Sequence, residues 1–406
     1  MKQDDFQLPD AVITALTLLE KAGREAFVVG GAVRSHLLGL PIHDYDLTTD
    51  AVPEEILRIF RAFPHHAQGL RHGTVTVLFP HMPVEITTYR TESVYPDHRH
   101  PASVTFTRDL KQDCSRRDFT INALCYHPAH GYIDYFHGLA DIRAKKIRTV
   151  GNPERRFEED ALRILRALRF ASVYGFTIVE ETEKAMYEKR DALRYISAER
   201  IHDEWVRTLN GAAFPSVFFS YRAIFAVFFA ELETIQNDSL LRHALKAASL
   251  QKGDAVVLSA ILFACMDTPD IAAILTRLKF AVKDRRIIDA LYALRNAPIA
   301  TRADLLHILQ QAASFLPKFI LFYEALHPSV HGLEKRLLQL QTQGAVYTVA
   351  ALAVNGQDLL DMQIPARLRG ALLNRVLEEV IRGRLANEKA EQLAFIRAQV
   401  PPDRHS

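Results

Sequence analysis

Asp44 and Asp46 stand one residue apart in Asp44-Tyr45-Asp46-Leu47, shortly after the pair Gly30-Gly31. In an extended strand, residues i and i+2 point to one face, so the two carboxylates converge while Tyr45 points away. Two hard oxygen donors side by side suit Mg²⁺, which keeps several waters and bridges to substrate phosphates. A third carboxylate, Glu85, sits in Val84-Glu85-Ile86-Thr87-Thr88-Tyr89. The apolar and β-branched neighbours predict a strand there and make the acid look buried and in need of a partner. Upstream, the apolar run at 27–29 meets Gly30-Gly31 and then a helix-like pattern over 32–38, closed by Gly39. That is a strand, a glycine turn and a helix start, where the backbone can approach a ligand closely and free N–H groups favour an anion. Arg34 adds a planar cation to the same place. Each signal alone is common. Their order, a glycine turn with an arginine, then a D-x-D strand, then a strand with an acid, points to metal-dependent nucleotidyl transfer.

A second set of residues could read a nucleotide base. The spacing predicts a helix over 158–170 that carries Asp160, Arg163, Arg166 and Arg169, with Asp160 and Arg163 neighbours at i and i+3. A plain helix salt bridge, worth about 0.2–0.5 kcal/mol, is one reading of this pair. The other follows from hydrogen-bond polarity. Cytosine and adenine each present an amino donor beside a ring-nitrogen acceptor; a carboxylate only accepts and a guanidinium only donates, so Asp plus Arg matches both. Uracil and guanine present the reverse order and would leave buried polar groups opposed, which rejects a substrate strongly. Arg116-Arg117-Asp118, ahead of Phe119-Thr120-Ile121-Asn122-Ala123-Leu124, reads as a second helix start.

These groups have to be positioned by a chain of 406 residues, a length that allows two to four domains. Strand-like segments are confined to the first third, at 27–29, 44–48, 74–79, 84–89 and 132–135, with helices near 11–21 and 54–63. From about Pro153 the pattern is helical nearly to the end. The fold class is therefore α+β at the head and all-α beyond it. Residues 90–106 are polar and broken by prolines, and predict a mobile loop. With 49% hydrophobic and 24% charged residues the chain has the composition of a globular protein with a sizeable core. Net charge is only +2, so any binding of a nucleic acid would have to use local basic patches and not a global field. Three cysteines, Cys114, Cys125 and Cys265, have no C-x-x-C spacing, which argues for a reducing compartment and against a zinc or disulfide framework. His202-Asp203 lacks the companions of a phosphohydrolase site. Without a signal-peptide core or an apolar run long enough to span a membrane, the expected location is the cytoplasm.

Gly30-Gly31-Ala32-Val33-Arg34, Asp44-Tyr45-Asp46, His72-Gly73-Thr74-Val75-Thr76-Val77, Arg116-Arg117-Asp118-Phe119-Thr120-Ile121-Asn122-Ala123 and Glu159-Asp160-Ala161-Leu162-Arg163-Ile164-Leu165-Arg166 occur in this order. So do Ile196-Ser197-Ala198-Glu199-Arg200-Ile201 and Asn355-Gly356-Gln357-Asp358-Leu359-Leu360. The series resembles the successive motifs of bacterial class II tRNA nucleotidyltransferases, the CCA-adding enzymes. The resemblance implies a polymerase-β-like head at 1–147, with a mixed sheet and helices, that carries catalysis. Beyond it come a nucleotide-selecting helical neck at 148–208, a tRNA-binding body at 209–316 and a tRNA-binding tail at 317–406. It implies addition of C, C and A to tRNA from CTP and ATP, with Mg²⁺ on Asp44 and Asp46 and Glu85 as a further catalytic carboxylate.

The resemblance also implies nucleotide contacts from Gly30, Gly31, Arg34, Arg117, Asp118, Asn122, Asp160, Arg163, Arg166 and Arg169, with Asp118 and Asn122 toward ribose hydroxyls. Asp97 and Arg99 would belong to a flexible loop needed for the final A. The tRNA contacts would fall on the acceptor stem and the adjoining arm; the oligomeric state stays open, a homodimer included. Three alternatives remain at this point: a partial enzyme adding only CC or only A, a poly(A) polymerase, and an RNA-binding protein with a dead transferase head. Two departures bear on the site. Ser35 stands where the family has Asp, removing an ion pair that would orient Arg34, and Cys114-Ser115 replaces a more basic pair ahead of Arg116.

Overall fold

The computed structural model describes residues 6–66, 69–92, 104–266 and 270–399. The chain forms two compact units, 1–230 and 231–406.

The first unit opens with helix α1 (Asp10–Lys21) and strand β1 (Ala26–Val29), followed by α2 (Gly31–Leu37), β2 (Asp46–Thr49) and α3 (Pro53–Ile59). Strands β3 (His65–His66), β4 (Thr74–Phe79) and β5 (Met82–Thr88) come next. A seven-stranded sheet then forms in the order β3-β4-β5-β2-β1-β8-β9, where β8 is Cys125–His127 and β9 is Gly131–Ile133. All four residues of β1 are buried, as a strand covered on both faces requires. On one face Phe27 and Val29 pack with Tyr89, Leu110 and Cys114. β4 alternates, with Val75, Val77 and Phe79 buried. β2 and β5 run parallel while the other pairs in the sheet are antiparallel. The mixed sheet matches the α+β expectation for the head.

The predicted loop at 90–106 has structure at both ends. Strand β6 (Arg90–Glu92) pairs antiparallel with β7 (Val104–Phe106), and Asp97 and Arg99 lie outside the described residues. Helix α4 (Leu110–Ser115) follows, started by the Asp109 side chain accepting from the Lys111 and Gln112 N–H groups. The helix predicted to start after Asp118 is only a 3₁₀ turn, Thr120–Asn122. Phe119 is fully buried edge-on to Phe170, and the chain must turn at once to enter β8.

After α5 (Gly138–Arg143) the first unit is mostly helical: α6 (Pro153–Glu159), α7 (Leu162–Tyr174), α8 (Glu180–Lys189), α9 (Ala198–Leu209) and α10 (Phe214–Phe225). The helix predicted over 158–170 is thus two helices. Asp160 is extended at φ −150° and ψ 103°; the Asn152 side chain caps the first helix, and the Asp160 side chain accepts from the Leu162 N–H that opens the second. The unit boundary at 230 falls inside the segment 209–316 that the sequence reading took as one body. Trp205 of α9 packs edge-on against Phe214, Phe225, Phe228 and Phe229, which ties residues 214–229 to the helices before them.

Among the described residues the second unit is all-helical apart from turns, running from Asp238–Leu250 to Lys389–Gln399. Its stretch Arg302–Leu326 is long and apolar enough to cross a membrane by length and composition, contrary to the expectation that no such run exists. Half of it is buried within the unit, with Leu305, Leu306, Leu309, Phe319 and Phe322 in the core, so packing accounts for its apolar character.

Candidate nucleotide and metal site

The acids come together through strand register. Asp46 opens β2 and lies opposite Glu85 of β5 across the parallel pairing, while Asp44 precedes the strand and is exposed. Tyr45 between them is buried, so the side-chain alternation inferred from the sequence holds. Glu85 is on the solvent side of its strand, between buried Val84 and Ile86, and is not the buried acid its neighbours suggested. The alternation of β5 supplies the reason: its odd positions here face away from the core. Asp46 keeps an exposed surface, yet its carboxyl is crowded, and loss of hydration followed by the Glu85 and Asp44 charges pushes it up to about 6 against the opposing pull of Arg117. Among the described residues no three His, Cys, Asp or Glu side chains form a ready metal cage.

Next to these acids is an open cleft of about 510 Å³. Among the described residues eight arginines line it, Arg34, Arg116, Arg117, Arg163, Arg166, Arg169, Arg200 and Arg207, against Asp46, Asp118 and Asp160. A chain of net charge +2 has thus gathered cations in one place, which suits a polyanionic ligand. Gly30 and Gly31 form part of the wall. Gly30 has φ +71°, and a Cβ on it would come 3.3 Å from Arg117 Nη1.

How each arginine is held differs from the sequence expectation. Arg34 donates to the Asn122 side-chain oxygen, and its guanidinium lies 4.9 Å from the Phe170 ring centroid and 5.2 Å from that of Tyr174. An amide and two ring faces therefore orient it where the family's acid is absent. Asp118 and Asn122, expected toward a ribose, are engaged with neighbouring side chains. One Asp118 oxygen accepts from the Phe119 N–H and the Asn122 amide, both at 2.8 Å, and the other from Arg166 at 2.7 and 2.6 Å. Burial alone would raise this carboxyl, but Arg166, the Asn122 hydrogen bond and Arg163 hold it well below the usual carboxylate range. The two residues link Arg34 to Arg166.

Asp160 and Arg163 both line the cleft but do not pair with each other. Asp160 accepts from the Leu162 N–H at 3.1 Å and from Arg200 at 2.7 Å. Arg163 donates to Glu159 at 2.7 Å and to the carbonyls of Arg156 and Arg116 at 3.1 and 3.2 Å. The helix break moves Asp160 off the spiral, which is why the i, i+3 salt bridge does not form. Arg169 pairs with Glu204 at 2.8 Å and covers the Phe170 ring at 4.3 Å. Burial brings its pKa down to about 10, with Arg166, Arg207 and Arg34 adding to the effect and Glu204 opposing it, so it stays protonated at neutral pH.

Sequence reasoning missed Asp113, Glu159, Arg200, Glu204 and Phe170 as site supports. Asp113 stands at i−3 and i−4 from Arg116 and Arg117, and Glu159 at i−4 from Arg163, spacings that could have marked both as partners. No local signal joins Arg200 to Asp160.

Comparison with known proteins fits this geometry. A family model described as "Poly A polymerase head domain" matches residues 26–148, and one described as "Probable RNA and SrmB- binding site of polymerase A" matches 175–218. A CCA-adding enzyme of Levilactobacillus brevis is 36% identical over 97% of this chain and 98% of its own. The chain belongs to the CCA-adding enzyme family. A CCA-adding enzyme of Lacticaseibacillus paracasei is 35% identical over 100% of this chain and 99% of its own. Among solved structures, a Bacillus stearothermophilus CCA-adding enzyme in complex with CTP is similar at TM-score 0.76 and 30% identity, covering 96% of each chain. The α+β head and helical remainder are the architecture that CCA-adding enzymes share, and as a tRNA nucleotidyltransferase of this family the chain uses divalent metal.

Proposed function

We propose that the cleft adds C, C and A to the 3′ end of tRNA from CTP and ATP without a nucleic-acid template, releasing pyrophosphate. The observation that carries this reading is the register that sets Asp46 against Glu85, with Asp44 just upstream, beside Gly30-Gly31 and the arginine cleft. These hard oxygen donors fit a divalent cation, since the crowding that pushes Asp46 up to about 6 is what such an ion relieves. Asp44 and Asp46 would hold Mg²⁺, with Glu85 as the further carboxylate. When bound, the cation neutralises triphosphate charge and lowers the pKa of the attacking hydroxyl.

The residues of the chain do the rest. The Gly30-Gly31 backbone lets the phosphates approach, and Arg34 and Arg117 meet their anionic oxygens. Asp118 and Asn122 hold Arg34 and Arg166 in place and lie toward the ribose hydroxyls, and Arg169 adds positive charge. Asp160, steadied by Arg200, accepts from the amino group of cytosine or adenine, and Arg163, steadied by Glu159, donates to the adjacent ring nitrogen. The tRNA 3′-oxygen then bonds to the α-phosphorus in line as the bond to the β-phosphate oxygen breaks.

In functional terms 1–147 is the catalytic head, 148–208 the selecting neck, and 209–316 and 317–406 the parts that contact the acceptor stem and adjoining arm. Side chains cannot read the deep groove of A-form RNA, so these contacts rest on shape, phosphates and 2′-hydroxyls. Arg382 and Lys389, basic residues of the tail, are paired with Glu378 and Asp358 and are weaker phosphate contacts for it. The protein acts where tRNA matures, in the bacterial cytoplasm. The test is incubation of a tRNA lacking its 3′ end with Mg²⁺ and each nucleotide in turn, followed by sequencing of the product ends. Ends in CCA are expected; unextended ends, or U and G taken up as readily, refute the reading.

A further inference from the structure

Behind the cleft, helix α4 carries a fully buried carboxylate, Asp113, that the chemistry above does not use. Its two oxygens are filled with donors. One accepts from the Arg90 N–H at 3.2 Å and Arg116 Nε at 2.9 Å; the other accepts from the Thr48 hydroxyl at 3.1 Å and Arg117 Nη2 at 3.3 Å. Thr48 belongs to β2, two residues beyond Asp46. Arg117 has Nη1 over the Gly30 turn, and its buried Nε has no hydrogen-bond partner among the described residues. One acid thus joins the strand of the catalytic aspartate to an arginine that lines the cleft.

We infer that Asp113 is a positioning residue for nucleotide binding, orienting the Arg117 guanidinium into the cleft and fixing it relative to the Asp46 strand. A buried acid is costly unless its charge is paired and hydrogen-bonded, and here two guanidinium groups do both. Burial alone would raise the Asp113 carboxyl, but Arg116 and Arg117 hold it below its usual range, so it stays a carboxylate. A guanidinium fixed by such a support needs little reordering when a nucleotide arrives, which is how an outer residue contributes to affinity without touching the ligand.

The hydrogen-bond pattern supplies a selective test. In Asp113→Asn the amide oxygen can keep Arg90 and Arg116, and the amide nitrogen can donate to the Thr48 hydroxyl, which then accepts. Arg117 is the donor left facing a nitrogen. With the full chain and tRNA, the KM for both CTP and ATP is expected to rise about tenfold to a hundredfold, the factor carried by one hydrogen bond between charged partners. kcat should change less. Asp113→Glu, which keeps the charge, should recover most of the loss. In an Arg117→Gln background Asp113→Asn should add little, since the two act through one contact.

An unchanged KM with a lowered Tm would make Asp113 structural and overturn the inference. So would additive effects in the double variant, or an asparagine protein that does not fold although the glutamate protein does. The inference rests on the cleft being the nucleotide site: an inactive parent protein fails that reading, whereas an active parent with KM unmoved by Asp113→Asn fails only this one.

Discussion

Replacing Gly30 and Gly31 by alanine, one at a time, should give opposite effects on stability, although the residues are neighbours. Gly30 has φ +71° and ψ −120°, a conformation that a residue with a Cβ adopts only under strain. Forcing alanine there costs about 1–3 kcal/mol, and its Cβ would press on Arg117 Nη1 at 3.3 Å. In a unit of this size each kcal/mol lowers Tm by roughly 2–4 °C, so Gly30→Ala is expected to melt about 2–12 °C early. Gly31 is the first residue of α2, has no positive φ, and its Cβ would meet only Arg34 Nη2 at an ordinary 3.8 Å. Alanine favours a helix by up to about 1 kcal/mol over glycine, so Gly31→Ala should leave Tm unchanged or raise it. Both variants should bind CTP more weakly, Gly30→Ala through a displaced Arg117 and Gly31→Ala because a methyl group blocks the phosphates. Calorimetry paired with CTP titration checks both halves. A Gly31→Ala protein that melts earlier than Gly30→Ala would refute the backbone argument, and undiminished CTP affinity in both would remove the turn from the site.

Asp44→Ala is expected to abolish incorporation while tRNA binding, followed by gel shift, stays near the parent value; surviving incorporation would count against the metal assignment. Asp160→Ala or Arg163→Ala should relax base choice before chemistry is lost, raising UTP and GTP use relative to CTP, and unchanged rejection of UTP would place selection elsewhere. For pH, the metal must displace the proton from a carboxyl raised to about 6. Above pH 6 Asp46 is ionised and metal affinity should be level, and below it affinity should fall by up to roughly tenfold per unit. Calorimetric metal titration from pH 5 to 8 measures this, and no loss at pH 5 would contradict a raised Asp46 carboxyl at the metal site. Asp118 is shifted the other way, and its depressed carboxyl contributes stability above the ordinary carboxylate pKa that disappears as pH falls through the lower folded value, which acid unfolding of Asp118→Asn beside the parent measures.

Much of the head was legible because its chemistry is local. The β-branched run at 74–79 and the alternation of 84–88 announce their strands, and D-x-D in an extended segment fixes which way each side chain points. Strand β8 was not legible: Cys125-Tyr126-His127 is short, and the long-range pairing with Val28 and Val29 makes it a strand. The break at Asp160 was hidden for a related reason. Glu159-Asp160-Ala161-Leu162 reads as good helix, and the chain leaves the helix where Arg200, forty residues on, meets the Asp160 carboxylate. Candidate site residues could be proposed from type and order, but which arginine each acid holds depends on packing. Asp113 is the sharpest case, an acid that looks solvated in Lys111-Gln112-Asp113 and is fully enclosed.

In the proposed reaction Asp44 and Asp46, brought beside Glu85 and the glycine turn, gather divalent cations for nucleotidyl transfer. Anomalous diffraction from crystals soaked with Mn²⁺ and CTP tests it most directly. A metal peak bonded to the Asp44 and Asp46 carboxylates is expected, with the CTP triphosphate against Gly30-Gly31 and the base facing Asp160 and Arg163. CTP ordered in the cleft with no metal at those aspartates, or metal and nucleotide bound elsewhere, would contradict it.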